Sequence, residues 1–166
     1  VVILTSEATV DTVTGFGSAD QIELDVSALN GGVLVDSTGT ALAGATAAGF
    51  ISYTVGSTSA ANATGSNIIF VTNTTGINAI ADVNTALGND NITLDGGGTA
   101  VAATDGTLIV FYDANDATAV LGYIEDADSA TAGVLDGTNS TFVQLAGVPM
   151  TATEYSALTA TNFDFI

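Results

Sequence analysis

The stretch Thr107-Leu108-Ile109-Val110-Phe111-Tyr112-Asp113 decides the fold, together with the run from Thr118 to Ile124 that follows it. Both runs are rich in β-branched and aromatic residues, and Ala114-Asn115-Asp116-Ala117 between them has the composition of a four-residue turn. The sequence therefore predicts a β-hairpin over 107–124.

The register of this hairpin follows if Asp113 pairs with Thr118. Leu108 then lies opposite Tyr123, Val110 opposite Leu121, and Phe111 opposite Val120. Asp105 falls opposite Asp126 beyond the apolar part. Both faces of the predicted hairpin are apolar, which is typical of strands that are buried between two layers or completed by another molecule.

Two interpretations of the apolar faces remain open. In the first, the hairpin supplies the central strands of a sandwich and its own chain covers both faces. In the second, a neighbouring subunit covers one face, formed either by Ile109, Phe111 and Val120 or by Leu108, Val110 and Leu121. The terminal segments 1–4 and 163–166 could likewise add to a neighbour's open sheet edge. We therefore expect a homo-oligomer or polymer that forms through β-strand faces and edges.

The charge balance is extreme. The chain has 18 Asp and Glu residues and no Lys, Arg or His, so its formal net charge is −18. Side-chain ion pairs are impossible, and self-repulsion of this size opposes compaction. A divalent cation is the simplest remedy. Without a basic footprint, binding to nucleic acid or to an anionic membrane surface is excluded.

Length and composition predict one extracellular β-rich domain over 1–166, with a subdivision into 1–66 and 67–166 as an alternative. The hydrophobic fraction of 47% excludes general disorder. We predict a mainly β fold, either a two-layer sandwich or an irregular sheet, with short helices at 77–87 and 151–158. Gly88 is expected to end the first helix, and Thr151 with Glu154 has the spacing of a capping box that begins the second.

Catalysis is heavily constrained by the missing residue types. Without His, Cys or Lys, the chain has no Ser-His-Asp or Cys-His arrangement, no Schiff base and no imidazole zinc site. A pair of carboxylates could still act as acid and base. Because close pairs are inevitable in so acidic a chain, proximity alone has little weight, and we predict that the protein is not an enzyme.

Calcium suits these side chains, because Ca²⁺ takes six to eight oxygen ligands and tolerates irregular geometry. For each candidate cluster the alternative is a solvated acidic turn that is capped by its own backbone hydrogen bonds. We predict that at least one cluster binds Ca²⁺. The clusters are Asp105 with Glu125, Asp126 and Asp128; Asp113 with Asn115 and Asp116; Asp11 with Asp20; and Asn89 with Asp90 and Asp95.

A family resemblance lies in three stretches. The pattern of Asp11, Val13, Gly15, Phe16, Asp20, Ile22 and Leu24 resembles the segment that closes the calcium-binding repeats of RTX-type (hemolysin-type) bacterial proteins, which are exported by type I secretion. The stretch 88–98 resembles one imperfect RTX nonapeptide, with Ile92 pointing inward. Asn162-Phe163-Asp164-Phe165-Ile166 resembles the terminal part of type I secretion substrates.

The resemblance implies calcium binding and an extracellular or bacterial cell-surface location. The segment 1–4 has no basic region of the kind that a signal peptide carries, and we expect the chain to be a processed product or the end of a longer one. The expected function is that of a structural, self-assembling subunit of a surface layer, filament or matrix, stabilised by calcium.

Two alternatives remain. The chain could be a monomeric C-terminal module that serves secretion and calcium-triggered folding of a large adhesin or exoprotein. It could also bind carbohydrate through calcium, which would depend on its acidic loops and on Tyr53, Tyr112, Tyr123 and Tyr155.

Overall fold

The structure, a computed structural model, describes residues 1–5, 7–29, 34–36, 40–42, 48–56, 66–90, 92–93, 105–126, 134–135 and 140–166. Within these ranges the chain is mainly β, as predicted. The strands are β1 (Val2–Leu4), β2 (Asp11–Thr12), β3 (Ile22–Leu24), β4 (Phe50–Tyr53), β5 (Ile68–Val71), β6 (Ile92–Thr93), β7 (Gly106–Asp113), β8 (Thr118–Asp126), β9 (Val134–Leu135), β10 (Ser140–Pro149) and β11 (Phe163–Phe165). The helices are α1 (Ile80–Asp90) and α2 (Ala152–Ser156), followed by a 3₁₀ turn at Ala160–Asn162.

The predicted hairpin is confirmed as β7 and β8. Asp113 pairs with Thr118, Val110 with Leu121, and the other predicted pairs follow in the same register. The ladder ends at Gly106 opposite Glu125, one residue short of the predicted Asp105 and Asp126 pair. The register could be predicted because two continuous apolar runs and a short turn leave few ways to pair them.

The hairpin lies inside a six-stranded sheet with the order β2-β10-β8-β7-β5-β4. The ends of the chain form a second sheet, β1-β3-β11, which we call the terminal sheet and in which every pairing is parallel. A short antiparallel pair joins β6 and β9. Both larger sheets combine strands from either side of residue 66.

Two hydrophobic cores cover the two faces of the hairpin. On one face, Leu108, Val110 and Leu121 pack in a cluster with residues of the terminal sheet, such as Leu24 and Phe165. The opposite face belongs to a cluster that includes Ile109, Phe111, Val120 and Ile124 from the hairpin and Val83 and Ala86 from α1.

These hairpin side chains are at most 6% exposed in the single chain. Helix α1 and the terminal sheet supply both covering layers, as in the first interpretation, so neither hairpin face is left for a neighbouring subunit to cover.

The two predicted helices are present with shifted bounds. Helix α1 begins three residues after Ile77, because Ile77 is buried as an anchor before the helix and the Asp82 carboxylate accepts a 2.8 Å hydrogen bond from the Asn78 amide. It also continues past Gly88 to Asp90, so the predicted stop at Gly88 is wrong. Helix α2 has the predicted capping box between Thr151 and Glu154 but ends at Ser156. In the described part of the chain, neither helix has the length and apolar content needed to cross a bilayer.

Candidate cation sites and sheet edges

The side chain of Asp113 stabilises the acidic hairpin turn through hydrogen bonds from backbone amides. Asp113 Oδ1 accepts hydrogen bonds from the amides of Asn115, at 2.9 Å, and Asp116, at 3.2 Å. The turn closes with Ala117 at φ 49°, and the Thr118 hydroxyl donates to the Asp116 carbonyl oxygen. The Asp113 carboxylate thus binds the backbone of Asn115 and Asp116, which is the arrangement expected of a capped acidic turn.

The opposite end of the hairpin gathers carboxylates around Tyr123. Glu125 pairs with Gly106, so Asp105 lies one residue beyond the ladder and both side chains are half-buried. The Tyr123 hydroxyl forms a side-chain hydrogen bond with Glu7. Burial, followed by the hydrogen bond and charge of Glu7 and the charge of Glu125, raises the pKa of Tyr123 far above its ordinary value. Sequence reasoning missed Glu7, because it is more than 100 residues from β8 along the chain.

Asp11 belongs to a strand and Asp20 to a turn. Asp11 is in β2, at the edge of the six-stranded sheet, where it pairs with Ala146. Asp20 comes two residues before β3, and its Oδ2 accepts a 2.8 Å hydrogen bond from the Gly17 amide. The second residue of the predicted cluster is therefore a turn cap.

The remaining predicted ligands lie at the ends of described segments or outside the described residues. The backbones of Asn89 and Asp90 belong to the end of α1, so the predicted nonapeptide turn does not begin at Gly88. Asp126 is the last residue of β8, while Ile92 belongs to β6. Asp95 and Asp128 fall outside the described residues.

Among the described residues, no three carboxylates come close enough together to hold a metal ion. Ca²⁺ needs six to eight oxygens. The described carboxylates at the ends of the hairpin can therefore supply part of such a shell, and the rest must come from water, from other parts of the chain or from a second copy.

The terminal sheet carries an arrangement that sequence reasoning missed. Ile3 of β1 is opposite Glu23 of β3, and Glu23 is in turn opposite Asp164 of β11. Ile3 is 51% exposed, and both carboxylates are half-buried. We call these three residues the outer row. Like charges directly opposite each other destabilise a sheet, and the chain has no basic side chain to compensate them.

The outer edge of β1 is directed away from β3. The Val2 amide donates to the Gln21 carbonyl oxygen, and the Leu4 carbonyl oxygen accepts from the Asp25 amide, each at 3.0 Å. Because alternate residues of a parallel strand bond to the same neighbour, the N–H and C=O of Ile3 point away from the sheet. Such an edge is a template for another strand.

The outer edge of β11 differs from that of β1. Ile166 exchanges backbone hydrogen bonds with Leu24 and Val26, so the amides of Phe163 and Phe165 face outward. The Phe163 amide donates to the Ala160 carbonyl oxygen of the 3₁₀ turn, and the Phe165 amide donates to Asp164 Oδ1 at 2.9 Å. Both outward donors of β11 are thus bonded within the chain.

The tyrosines offer no surface for a sugar. Tyr53, Tyr112, Tyr123 and Tyr155 are at most 5% exposed and belong to the hydrophobic cores. The tyrosine basis of the carbohydrate hypothesis is therefore wrong, since a sugar platform needs an exposed ring. The carbohydrate hypothesis depended on the presence of tyrosine in the sequence, and composition does not say which side of a strand faces water.

A groove of about 370 Å³ separates α2 from the loop that precedes β3. Phe16, Met150 and Leu158 supply its apolar lining, and Glu154 is the ionisable group among its lining residues. The Glu154 carboxylate is already held by the amide and hydroxyl of Thr151 at 2.7 and 2.8 Å. The Glu154 carboxylate in this groove therefore acts as a helix cap.

Comparison with known proteins gave no match to a family model, to a curated protein or to a solved structure. The function is therefore inferred from the residues themselves.

Proposed function

We propose that this protein is a structural, self-assembling extracellular subunit of a surface layer, filament or matrix, and that calcium stabilises the assembly. The observation that carries the proposal is the terminal sheet, which exposes the edge of β1 and an apolar residue, Ile3, beside the paired carboxylates Glu23 and Asp164. A strand edge with exposed apolar side chains favours strand addition.

Charge explains why a cation belongs in this proposal. Every copy carries a net charge of −18, so two copies repel each other at low ionic strength. Screening by monovalent salt weakens this repulsion between exposed groups. A divalent ion can in addition be shared by carboxylates of neighbouring strands or copies, and Ca²⁺ accepts incomplete protein ligation with water in the remaining positions.

The proposal assigns the protein no reaction. Four of the described carboxylates, those of Asp20, Asp113, Glu154 and Asp164, accept hydrogen bonds from nearby backbone amides, and Glu154 also accepts one from the Thr151 hydroxyl. These contacts stabilise local structure. Location outside the cell, at the bacterial surface, agrees with the resemblance to RTX-type exoproteins and with millimolar calcium there.

The test is sedimentation velocity during a calcium titration at fixed ionic strength, with magnesium as the control for screening. We expect a slow monomer without calcium and large species with calcium alone. Glu23→Gln should raise the calcium concentration at the midpoint. Asp82→Asn also removes one charge, at the start of α1 and outside the predicted clusters, and should leave the midpoint unchanged.

Other results would contradict the proposal in different ways. A monomer that becomes more compact with calcium would support the alternative, a C-terminal module for secretion and calcium-triggered folding. The same response to both ions would show that calcium promotes assembly only by screening charge.

A further inference from the structure

We propose that Asp164 is a gate that keeps one edge of the terminal sheet closed, and that release of its carboxylate lets β1 of a second copy add to β11. This inference rests on the proposed function and names the contact through which subunits join. Asp164 closes this edge by accepting a 2.9 Å hydrogen bond from the Phe165 amide at its Oδ1.

The register of the terminal sheet identifies the incoming strand. All three strands are parallel, and the outer row runs from Ile3 through Glu23 to Asp164. A parallel strand added beyond β11 would continue this row with its own central residue opposite Asp164. The N–H and C=O of that residue must face β11, which is the orientation that Ile3 already has on the open edge of β1. A second copy therefore carries a strand of matching orientation.

The donors on the β11 edge show why one carboxylate controls docking. Phe163 N–H stays bonded to the Ala160 carbonyl oxygen through the 3₁₀ turn. Phe165 N–H is then the outward donor that an incoming Ile3 carbonyl would need, and Asp164 holds it. Charged side chains on an edge strand are a known way to keep a sheet edge from pairing.

The electrostatics agree with a second copy as the occupant. The segment 1–5 carries no ionisable side chain, so the incoming edge brings no side-chain carboxylate to Glu23 and Asp164. Pairing of β1 with β11 is head to tail, so it is not limited to two copies and produces chains or rings of subunits. A cation that draws the Asp164 carboxylate away from Phe165 would link calcium to chain growth.

Three variants separate the gate from simple charge removal. Asp164→Ala removes both the carboxylate and the cap, whereas Asp164→Asn removes the charge and keeps an acceptor oxygen for the Phe165 amide. Asp116→Ala removes one charge at the hairpin turn, outside the terminal sheet. A double variant, Asp164→Ala with Ile3→Pro, lacks the outward N–H of β1, and an edge strand tolerates proline where its N–H faces solvent.

Sedimentation velocity without calcium, at several protein concentrations, tests the gate. We expect Asp164→Ala to form larger species with rising concentration, while the wild type, Asp164→Asn, Asp116→Ala and the double variant remain monomeric. In dilute, monomeric Asp164→Ala, hydrogen exchange of the Phe165 amide should be faster than in the wild type by about tenfold, because its acceptor is gone.

Two results would overturn the gate. One is an Asp164→Ala protein whose Phe165 amide exchanges fast but which stays monomeric, and the other is Asp164→Asn assembling as readily as Asp164→Ala. If the wild type still assembles with calcium in either case, the proposed function stands and the gate alone fails. If Asp164→Ala assembles and the wild type ignores calcium, the gate stands and the calcium dependence fails.

Discussion

The hydroxyl of Tyr155 donates a 2.6 Å hydrogen bond to the carbonyl oxygen of Val71, the last residue of β5. The same hydroxyl lies 3.1 Å from the Val110 carbonyl oxygen in β7. Tyr155 itself is fully buried, and its ring stacks on Phe70. One side chain of α2 therefore joins the C-terminal segment to two neighbouring strands of the six-stranded sheet.

Replacement of Tyr155 by Phe should destabilise the fold. The variant keeps the ring and its packing but removes the donor from two buried carbonyl oxygens, which costs about 1–3 kcal/mol. Urea unfolding followed by circular dichroism measures this change in the free energy of unfolding. Tyr112→Phe is the matched control, because the Tyr112 hydroxyl makes one longer bond, 3.2 Å, to the Met150 carbonyl oxygen. Equal stability of Tyr155→Phe and the wild type would contradict the assignment.

Asn162 should be the second residue on which the C-terminal segment depends. It is 2% exposed, and its Nδ2 donates to the carbonyl oxygens of Ser18 and Asp20 at 3.1 and 2.9 Å. Its Oδ1 accepts from the Thr159 amide. We expect Asn162→Ala to lower the free energy of unfolding by about 1–3 kcal/mol, because these buried groups lose their partners.

Asn162→Asp tests the polarity of that network. The new carboxylate would face two carbonyl oxygens that need a donor, so its folded-state pKa should rise above the unfolded value. The penalty is then largest above the folded pKa and declines, relative to the wild type at the same pH, as the pH falls through it. Urea unfolding at pH 5 and pH 7 compares the two proteins. A pH-independent penalty would contradict this role of Nδ2.

The sequence allowed the register of the hairpin to be predicted, because β7 and β8 are adjacent, long and apolar on both faces. The terminal sheet could not be predicted in the same way. It pairs three-residue strands over large separations, such as Glu23 with Asp164, and so short a pattern does not specify its partner. Asn162 was missed for a similar reason, since its partners Ser18 and Asp20 are more than 140 residues away.

The acidic clusters show a different limit. Sequence spacing placed Asp113, Asn115 and Asp116 in one turn, yet it could not say whether Asp113 would bind a cation or the amides of that turn. Both uses require a short polar side chain at the same position. Backbone donors and an ion compete for the same carboxylate oxygens, and the three-dimensional positions of the amides decide which of them binds.

Gly122 should not tolerate a larger residue. A Cβ at this position of β8 would overlap the carbonyl oxygen of Val143 and the ring of Phe142, and the backbone oxygen has no room to move within the ladder. We expect Gly122→Ala to cost about 1–3 kcal/mol of stability through overpacking. Thermal unfolding measures the change. Gly147→Ala is the control, because its nearest neighbour is the Thr118 methyl group at 3.3 Å, and a larger loss there than at Gly122 would refute the explanation.

The capping box of α2 should make Glu154 unusually acidic. The Thr151 amide, and then the Thr151 hydroxyl, donate to its carboxylate and hold the pKa of Glu154 below its ordinary value. Because the folded pKa is lowered, this contribution to stability is present above the unfolded pKa and is lost as the pH falls through the folded one.

Carboxyl-detected NMR titration measures the pKa of Glu154. Thr151→Ala should raise it only part of the way to the ordinary value, since the stronger amide bond remains. Thr153→Ala, on the exposed side of the same helix, should leave it unchanged. A Glu154 that titrates identically in the wild type and in Thr151→Ala would exclude the hydroxyl as a cause.

Replacement of Thr107 by an apolar residue of the same shape should stabilise the fold. Its side chain is fully buried in β7, and within the described part of the chain its Oγ1 has no hydrogen-bond partner. An unsatisfied buried hydroxyl costs about 1–3 kcal/mol, so Thr107→Val, which keeps the shape and the β-branched preference for strands, should stabilise the fold by about 1 kcal/mol. Thr118→Val is the matched control, because the Thr118 hydroxyl donates to the Asp116 carbonyl oxygen at 3.0 Å and its loss should destabilise the hairpin. Urea unfolding of both variants measures the two changes, and a loss of stability in Thr107→Val would show that the hydroxyl has a partner in solution.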